Sequence, residues 1–187
     1  MKTNEITAEY AHECFVCNPD TGQLWWKERP AHHFPTEHGR AIFNAIYAGK
    51  ETGKPNTSRG YGGVGLGGVT HRTHILIWLL CNGRLPEHQI DHIDGVTGGF
   101  GNRLSNLRDA PQSENTRNKA LYKRNATGVA GVTLRKKRAK WCASIRVGGR
   151  LKHLYEGFDF FEACCRRKSA ELKHDFHTNH GRMANAY

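Results

Sequence analysis

The chain has 187 residues, 37% of them hydrophobic, and a formal charge of +11 at pH 7 with its twelve histidines counted as neutral; its mean hydropathy is −0.68 and its isoelectric point is near 9.6. That length holds one large or two small domains. The longest unbroken apolar run, Ile75–Cys81, is seven residues. This excludes a transmembrane helix, and Met1–Glu5 lead into no apolar signal core, which predicts a cytoplasmic protein.

The charge is unevenly placed. Residues 1–116 carry 11 Lys/Arg against 12 Asp/Glu, whereas residues 117–174 carry 16 against 4. A basic block beside a nearly neutral one reads as a polyanion-binding module joined to a partner with another task. The six cysteines (14, 17, 81, 142, 164 and 165) are expected to be reduced. Cys14-x-x-Cys17 has metal-ligand spacing, but no second pair follows at zinc-ribbon distance, so a structural Zn²⁺ held with His12 or His32 is not expected.

In chain order, residues 6–17 read as a short helix or strand. Asn18-Pro19-Asp20-Thr21-Gly22 is a turn that predicts a hairpin with Gln23–Lys27. Residues 28–58 mix Pro, His and Gly and read as irregular. Gly60–Val69 lacks phosphate-loop spacing and reads as a glycine-rich hairpin. Thr73–Cys81 predicts a buried helix stopped at Asn82-Gly83. A short strand at 85–95, a Gly/Asn-rich loop at 96–106 and a strand at Leu107–Ala110 follow. A helix then runs to Leu121 with Ser113 as its N-cap. Beyond a polar linker, strands are predicted at Val129–Leu134, Lys140–Val147 and Arg150–Gly157, the last two joined at Gly148-Gly149. A helix at Phe161–Phe176 closes the pattern.

The informative constellation is Asp91-His92, Asn102, Asn106-Leu107-Arg108 and Ser113-Glu114-Asn115, on a strand, loop, strand and helix. Phosphodiester hydrolysis needs a base for water, a divalent cation on the scissile phosphate and a group that orients the base. A neutral His is a competent base near pH 7, and Asp with Asn is an oxygen-donor set suited to Mg²⁺. A lone Asp-His pair is ordinarily structural and a lone loop Asn ordinarily caps a turn; the ordered set beside a basic block reverses that weighting.

Asp91-His92-Ile93-Asp94-Gly95, Asn102–Arg108 and Ser113-Glu114-Asn115 together resemble the HNH endonucleases of the phage and intron-encoded homing type. His74–Trp78 with Asn82-Gly83, and Pro19–Gly22 with Leu24–Trp26, resemble that family's upstream segments. The resemblance implies that His92 is the general base, Asp91 and Asn115 are the metal ligands for Mg²⁺ (or Mn²⁺), and Asn106 holds His92 through a backbone or side-chain hydrogen bond. It implies phosphate contact for Arg108 and leaves Asn102 to loop structure and Asp94 to a turn. The chain departs from the family where Val96–Gly101 replaces the usual Asn/Asp-rich loop.

Residues 128–158 and the helix after them resemble the DNA-binding domain of plant ethylene-response factors. That implies a three-stranded antiparallel sheet on one helix, the sheet lying in the major groove. Alternation predicts Val132, Leu134, Cys142, Ile145 and Leu154 facing the helix, with Arg135, Lys140, Ser144, Arg146, Arg150 and Lys152 on the other face. Lys136, Lys137 and Arg138 fill the first turn. Trp141 reads equally as a DNA contact or as core packing.

The whole predicts an α+β protein: a ββα-metal (His-Me finger) nuclease module at 1–121, a linker at 122–127, an ethylene-response-factor-like domain at 128–180 and a tail at 181–187. Its expected activity is metal-dependent hydrolysis of double-stranded DNA, the alternative being a non-catalytic DNA-binding protein with an inactive HNH fold. Expected DNA contacts are Arg108, Arg117, Lys119, Arg135, Lys137, Arg138, Lys140, Trp141, Arg146, Arg150 and Lys152. No membrane or small-molecule partner is expected.

Overall fold

Thr7 starts the described fold by accepting the Tyr10 backbone N–H, which caps helix α1 (Ala8–Cys14). The chain passes directly into strand β1 (Phe15–Asn18), turns at residues 19–22 and returns as β2 (Gln23–Trp26). The computed structural model describes residues 6–55, 60–122, 124–178 and 180–183. It divides into two compact units, Met1–Pro111 and Gln112–Tyr187.

In the first unit, β2 also pairs with a short β3 (Glu51–Thr52). Between them lies α2 (Glu37–Tyr47), a helix in a stretch whose sequence reads as irregular. Its signals were Thr36, whose hydroxyl accepts the Gly39 N–H, and Glu37 in the first turn; the Pro/His-rich surroundings and Gly39 masked them. Phe43 holds it down, edge-on to Trp26 with ring centroids 5.1 Å apart.

The glycine-rich segment forms the expected hairpin, β4 (Gly63–Leu66) and β5 (Val69–Arg72). It leads into α3 (Thr73–Asn82), which ends at Gly83 in the left-handed conformation, φ 68°. α3 is apolar nearly all round because it is the core: Leu76, Ile77 and Leu79 are buried against Phe15, Leu24, Val64 and Leu107. After it, β6 (Gln89–His92) pairs with β7 (Leu107–Ala110) in the register Asp91↔Arg108 and His92↔Leu107.

The second unit opens with α4 (Gln112–Arg117). The helix already includes Ser113 and stops four residues before the predicted end at Leu121. The chain turns at Asn118 instead, and the backbone pairs with the C-terminal segment: Leu121 N–H donates to Arg182 O and Gly181 N–H to Lys119 O. These contacts tie residues 118–121, expected to close the first module, to the second unit.

Strands β8 (Val132–Arg135), β9 (Lys140–Val147) and β10 (Arg150–Gly157) form a sheet in the order β10-β9-β8. Helix α5 (Phe160–Lys173), capped by Asp159, packs on it. Several side-chain expectations are corrected. Cys142 stands opposite Thr133 and Glu156, away from the helix, and Ala143 with Ile145 supplies the buried face; one residue of shift exchanges the faces. Leu134 lies at the end of the short β8 and stays exposed. A bulge between His153 and Tyr155 reverses the alternation in β10. Lys152 therefore stands opposite buried Ile145 and Arg150 opposite Val147, while Leu151 stands opposite Arg146. Among the described residues no helix is long and apolar enough to cross a membrane.

The turn of the first hairpin abuts the 99–106 segment. Leu104 N–H donates to Pro19 O at 2.7 Å. Gly22 has φ +72°, and a Cβ there would sit 2.5 Å from the Asn102 carbonyl carbon and 2.6 Å from the Arg103 nitrogen. Gly22→Ala is expected to cost about 1–3 kcal/mol through backbone strain and this contact. Denaturant unfolding of the N-terminal unit measures it; an unchanged midpoint would contradict the packing described.

Candidate active site

The β6–β7 hairpin carries Asp91 and His92 on one strand and Arg108 on the other. His92 is 4% exposed, enclosed between the hairpin and α3. Its Nε2 lies 3.1 Å from the Asn102 Oδ1, and Asn102 is itself buried. With the amide oxygen as acceptor, a neutral His92 carries its proton on Nε2 and its lone pair on Nδ1. Burial pushes the His92 pKa below its ordinary value, and the Asn102 bond and the Asp91 and Asp94 carboxylates pull it back up.

Asn106 works on the loop around His92. Its Oδ1 accepts the Asp94 N–H at 2.9 Å, its Nδ2 donates to Gly101 O at 2.7 Å, and its backbone carbonyl accepts the Ile93 N–H. It thus fixes the residues just after His92, while the amide that meets the imidazole is Asn102, which the sequence assigned to loop structure alone. Asp94 is the turn residue expected: Oδ1 accepts the Val96 N–H and Oδ2 takes Arg103.

Asp91 and Arg108 face each other across the strands. Arg108 Nε and Nη2 both donate to Asp91 Oδ2, at 3.0 and 2.8 Å. The expected phosphate contact therefore rests, in the structure, on the expected metal ligand. A carboxylate such as Asp91 is a hard oxygen donor of the kind a divalent cation takes; a cation on Oδ2 would compete with Arg108. Asn115 lies on α4 in the second unit.

A residue the sequence did not single out for chemistry is His74, in the first turn of α3. Its ring stands at 84° to that of His92 with centroids 5.2 Å apart, and Tyr61 lies 5.6 Å from His74 and 6.0 Å from His92. Burial, with His92 and Arg72 nearby, pushes its pKa down to about 4. No local pattern announces this, because only the packing of α3 on β6 brings the two rings together.

Other clusters of ligand-type side chains have different uses. Glu13, His32 and His33 converge, but Arg29 Nε donates to His33 Nδ1 at 3.1 Å. That places the neutral ring's proton on Nε2, toward Glu13, and turns its lone pair from a metal. Cys14 Sγ is 3.8 Å from the same Nδ1, whereas Cys17 Sγ is 3.8 Å from Cys81 Sγ, so the two cysteines face different partners. In the second unit Glu156 gathers Arg138 at 3.4 Å, Arg135 at 3.6 Å and the Cys142 thiol at 3.5 Å. Against the effect of its burial, these groups hold its carboxyl below the ordinary range.

Of the expected DNA contacts there, Trp141 packs on Phe160 at the start of α5, ring centroids 4.6 Å apart, and joins the core. Lys137 and Arg138 sit in the short turn after β8, and Lys140 lies against Phe158. Arg117 and Lys119 border a cleft shared with Arg146.

Residues 71–117 match the HNH endonuclease family. Protein 3.8 of Escherichia phage T7 is 35% identical over 92 residues, which cover 49% of this chain and 74% of that protein. No solved structure matches.

His74 remains neutral in the fold down to about pH 4 and in the unfolded chain only to about 6.5. Between these values the unfolded state binds more protons, so stability falls as the pH drops. His74→Gln is expected to flatten this loss, by up to about 3 kcal/mol, when unfolding of the N-terminal unit is measured from pH 7 to pH 4. An equally steep decline in the variant would contradict the burial of a neutral ring.

Proposed function

The chain belongs to the same family as Protein 3.8 of Escherichia phage T7 and carries an HNH endonuclease segment, and from that premise we propose that it is a metal-dependent endonuclease that hydrolyses phosphodiester bonds in double-stranded DNA. The observation that carries the reading is His92, buried beside Asp91 with Nε2 bonded to Asn102. A neutral imidazole in that tautomer accepts the proton of water at Nδ1. Asn102 holds the ring's orientation and Asn106 holds the loop that supplies Asn102.

Asp91 and Asn115 would hold Mg²⁺ or Mn²⁺. When bound, such a cation supplies Lewis-acid stabilisation to the scissile phosphate and its leaving oxygen. Arg108, which neutralises Asp91 in the structure, would contact the phosphate. This reading treats the enzyme as one of the homing type, acting in the cytoplasm of a phage-infected bacterium.

The second unit is proposed as an ethylene-response-factor-like DNA-binding domain. The reading is supported by the β10-β9-β8 sheet with α5 and by the basic residues Arg135, Lys137, Arg138, Lys140 and Arg146; Arg150 and Lys152, proposed with them, stand on the other face of β10. Arg117 and Lys119 extend the basic set; Trp141 acts through the core rather than on DNA.

On supercoiled plasmid with Mg²⁺, the protein is expected to nick or cut, and a chelator to stop it. His92→Ala should lower the rate by roughly 10²–10⁴-fold while DNA binding persists; cleavage at the wild-type rate would remove His92 from the mechanism. DNA binding without any cleavage would leave the inactive-fold alternative. Arg135→Gln with Arg138→Gln should flatten the log–log salt dependence of binding by about two phosphate contacts, and an unchanged slope would take the sheet's first turn off the DNA.

A further inference from the structure

The second unit contains a cleft of about 560 Å³, within the size range of small-ligand sites. Two of its lining residues, Tyr122 and Leu151, are large apolar side chains left 80% and 66% exposed to water. Phe176 lies deeper, with the Arg117 guanidinium 5.8 Å from its ring centroid. Lys119 and Arg146 complete a cationic border. Among the described residues no Asp or Glu lines the cleft, and no carboxylate pairs with Arg117, Lys119 or Arg146.

The wall is built in advance. Arg167 is buried and donates to Glu171 Oε1 at 2.8 Å and to Ser144 O, and its Nη2 meets His180 Nε2 at 3.1 Å. It is structural here; of the border cations, Arg146 also donates to Gly149 O at 3.1 Å. At the Gly148-Gly149 tip, a Cβ on either residue would meet nothing within 4 Å, so the tip borders open space.

An apolar, aromatic-lined cleft whose cations meet no carboxylate among the described residues fits a flat apolar body that bears negative charge. On a protein that handles DNA, that body is a base with its phosphate. We propose that the cleft takes one unpaired nucleotide of the bound DNA, its base against Tyr122 and Leu151 and its phosphate on the Arg117, Lys119 and Arg146 border. The proposal rests on the DNA-endonuclease reading and adds to it a preference for duplexes that present an unstacked base.

The test compares two probes on the full chain, with chelator present to prevent cleavage: a fully paired duplex, and the same duplex with one extrahelical 2-aminopurine nucleotide. The wild type should bind the second probe roughly tenfold more tightly, with quenching of the 2-aminopurine. Tyr122→Ala and Leu151→Ala, both at exposed positions, should bring the ratio close to one and leave affinity for the paired duplex unchanged. Equal affinity of the wild type for the two probes, or a preference that survives both substitutions, overturns the proposal while the endonuclease reading stands on its plasmid assay. Loss of binding to both probes by the wild type overturns both readings. A change in oligomeric state in either variant with no change in the probe ratio assigns the cleft to contacts between copies and overturns the nucleotide site.

Discussion

The hydrogen bond between His92 and Asn102 is the constraint around which the N-terminal unit is arranged. An imidazole in the interior is disfavoured as a cation, and a polar nitrogen there must find a partner. Asn102 satisfies Nε2 and thereby selects the tautomer. Asn102 can do so only if the 93–106 loop returns it to the strand. Asn106 enforces that return with three hydrogen bonds to Asp94, Gly101 and Ile93, and the first hairpin backs it at Gly22 and Pro19. His92, at the end of β6, is thus held as firmly as a core residue.

The other side of the imidazole is supplied by α3. His74 closes over it in an edge-to-face contact, and the burial that keeps His74 neutral also keeps a second positive charge away from His92. Asp91 faces the opposite problem. A half-buried carboxylate needs a counter-charge, and Arg108 provides it from the paired strand. The result is a neutral imidazole at His92 next to a carboxylate already paired with Arg108.

The C-terminal unit solves a different problem, how to keep many cations on a small sheet. Glu156 gathers Arg135 and Arg138 on the face away from α5, which limits their mutual repulsion and orders long side chains. The bulge in β10 sets Leu151 beside its cross-strand partner Arg146, on the same face, and the strap formed by residues 118–122 and 180–183 runs beside it. The cleft exists because that strap is pinned by backbone hydrogen bonds.

Much was legible in the residues alone. The glycine hairpin, the α3 helix with its Gly83 stop, the β6–β7 pair and the three-strand-plus-helix order were all written in local signals: turn residues, periodicity and caps. The candidate base and its neighbouring carboxylate were legible because Asp91-His92 and the asparagines keep a recognisable order. What tertiary structure alone decided were the partners. Asn102 rather than Asn106 meets the His92 ring, because which amide reaches it depends on how the loop closes. His74 joins the site, Trp141 retires into the core, and Cys142 and Lys152 exchange their expected faces. A single bulge or shift of register reverses the faces of a strand without leaving any trace in its composition. The chemistry of single residues and their order is a property of the chain; which of them touch is a property of packing.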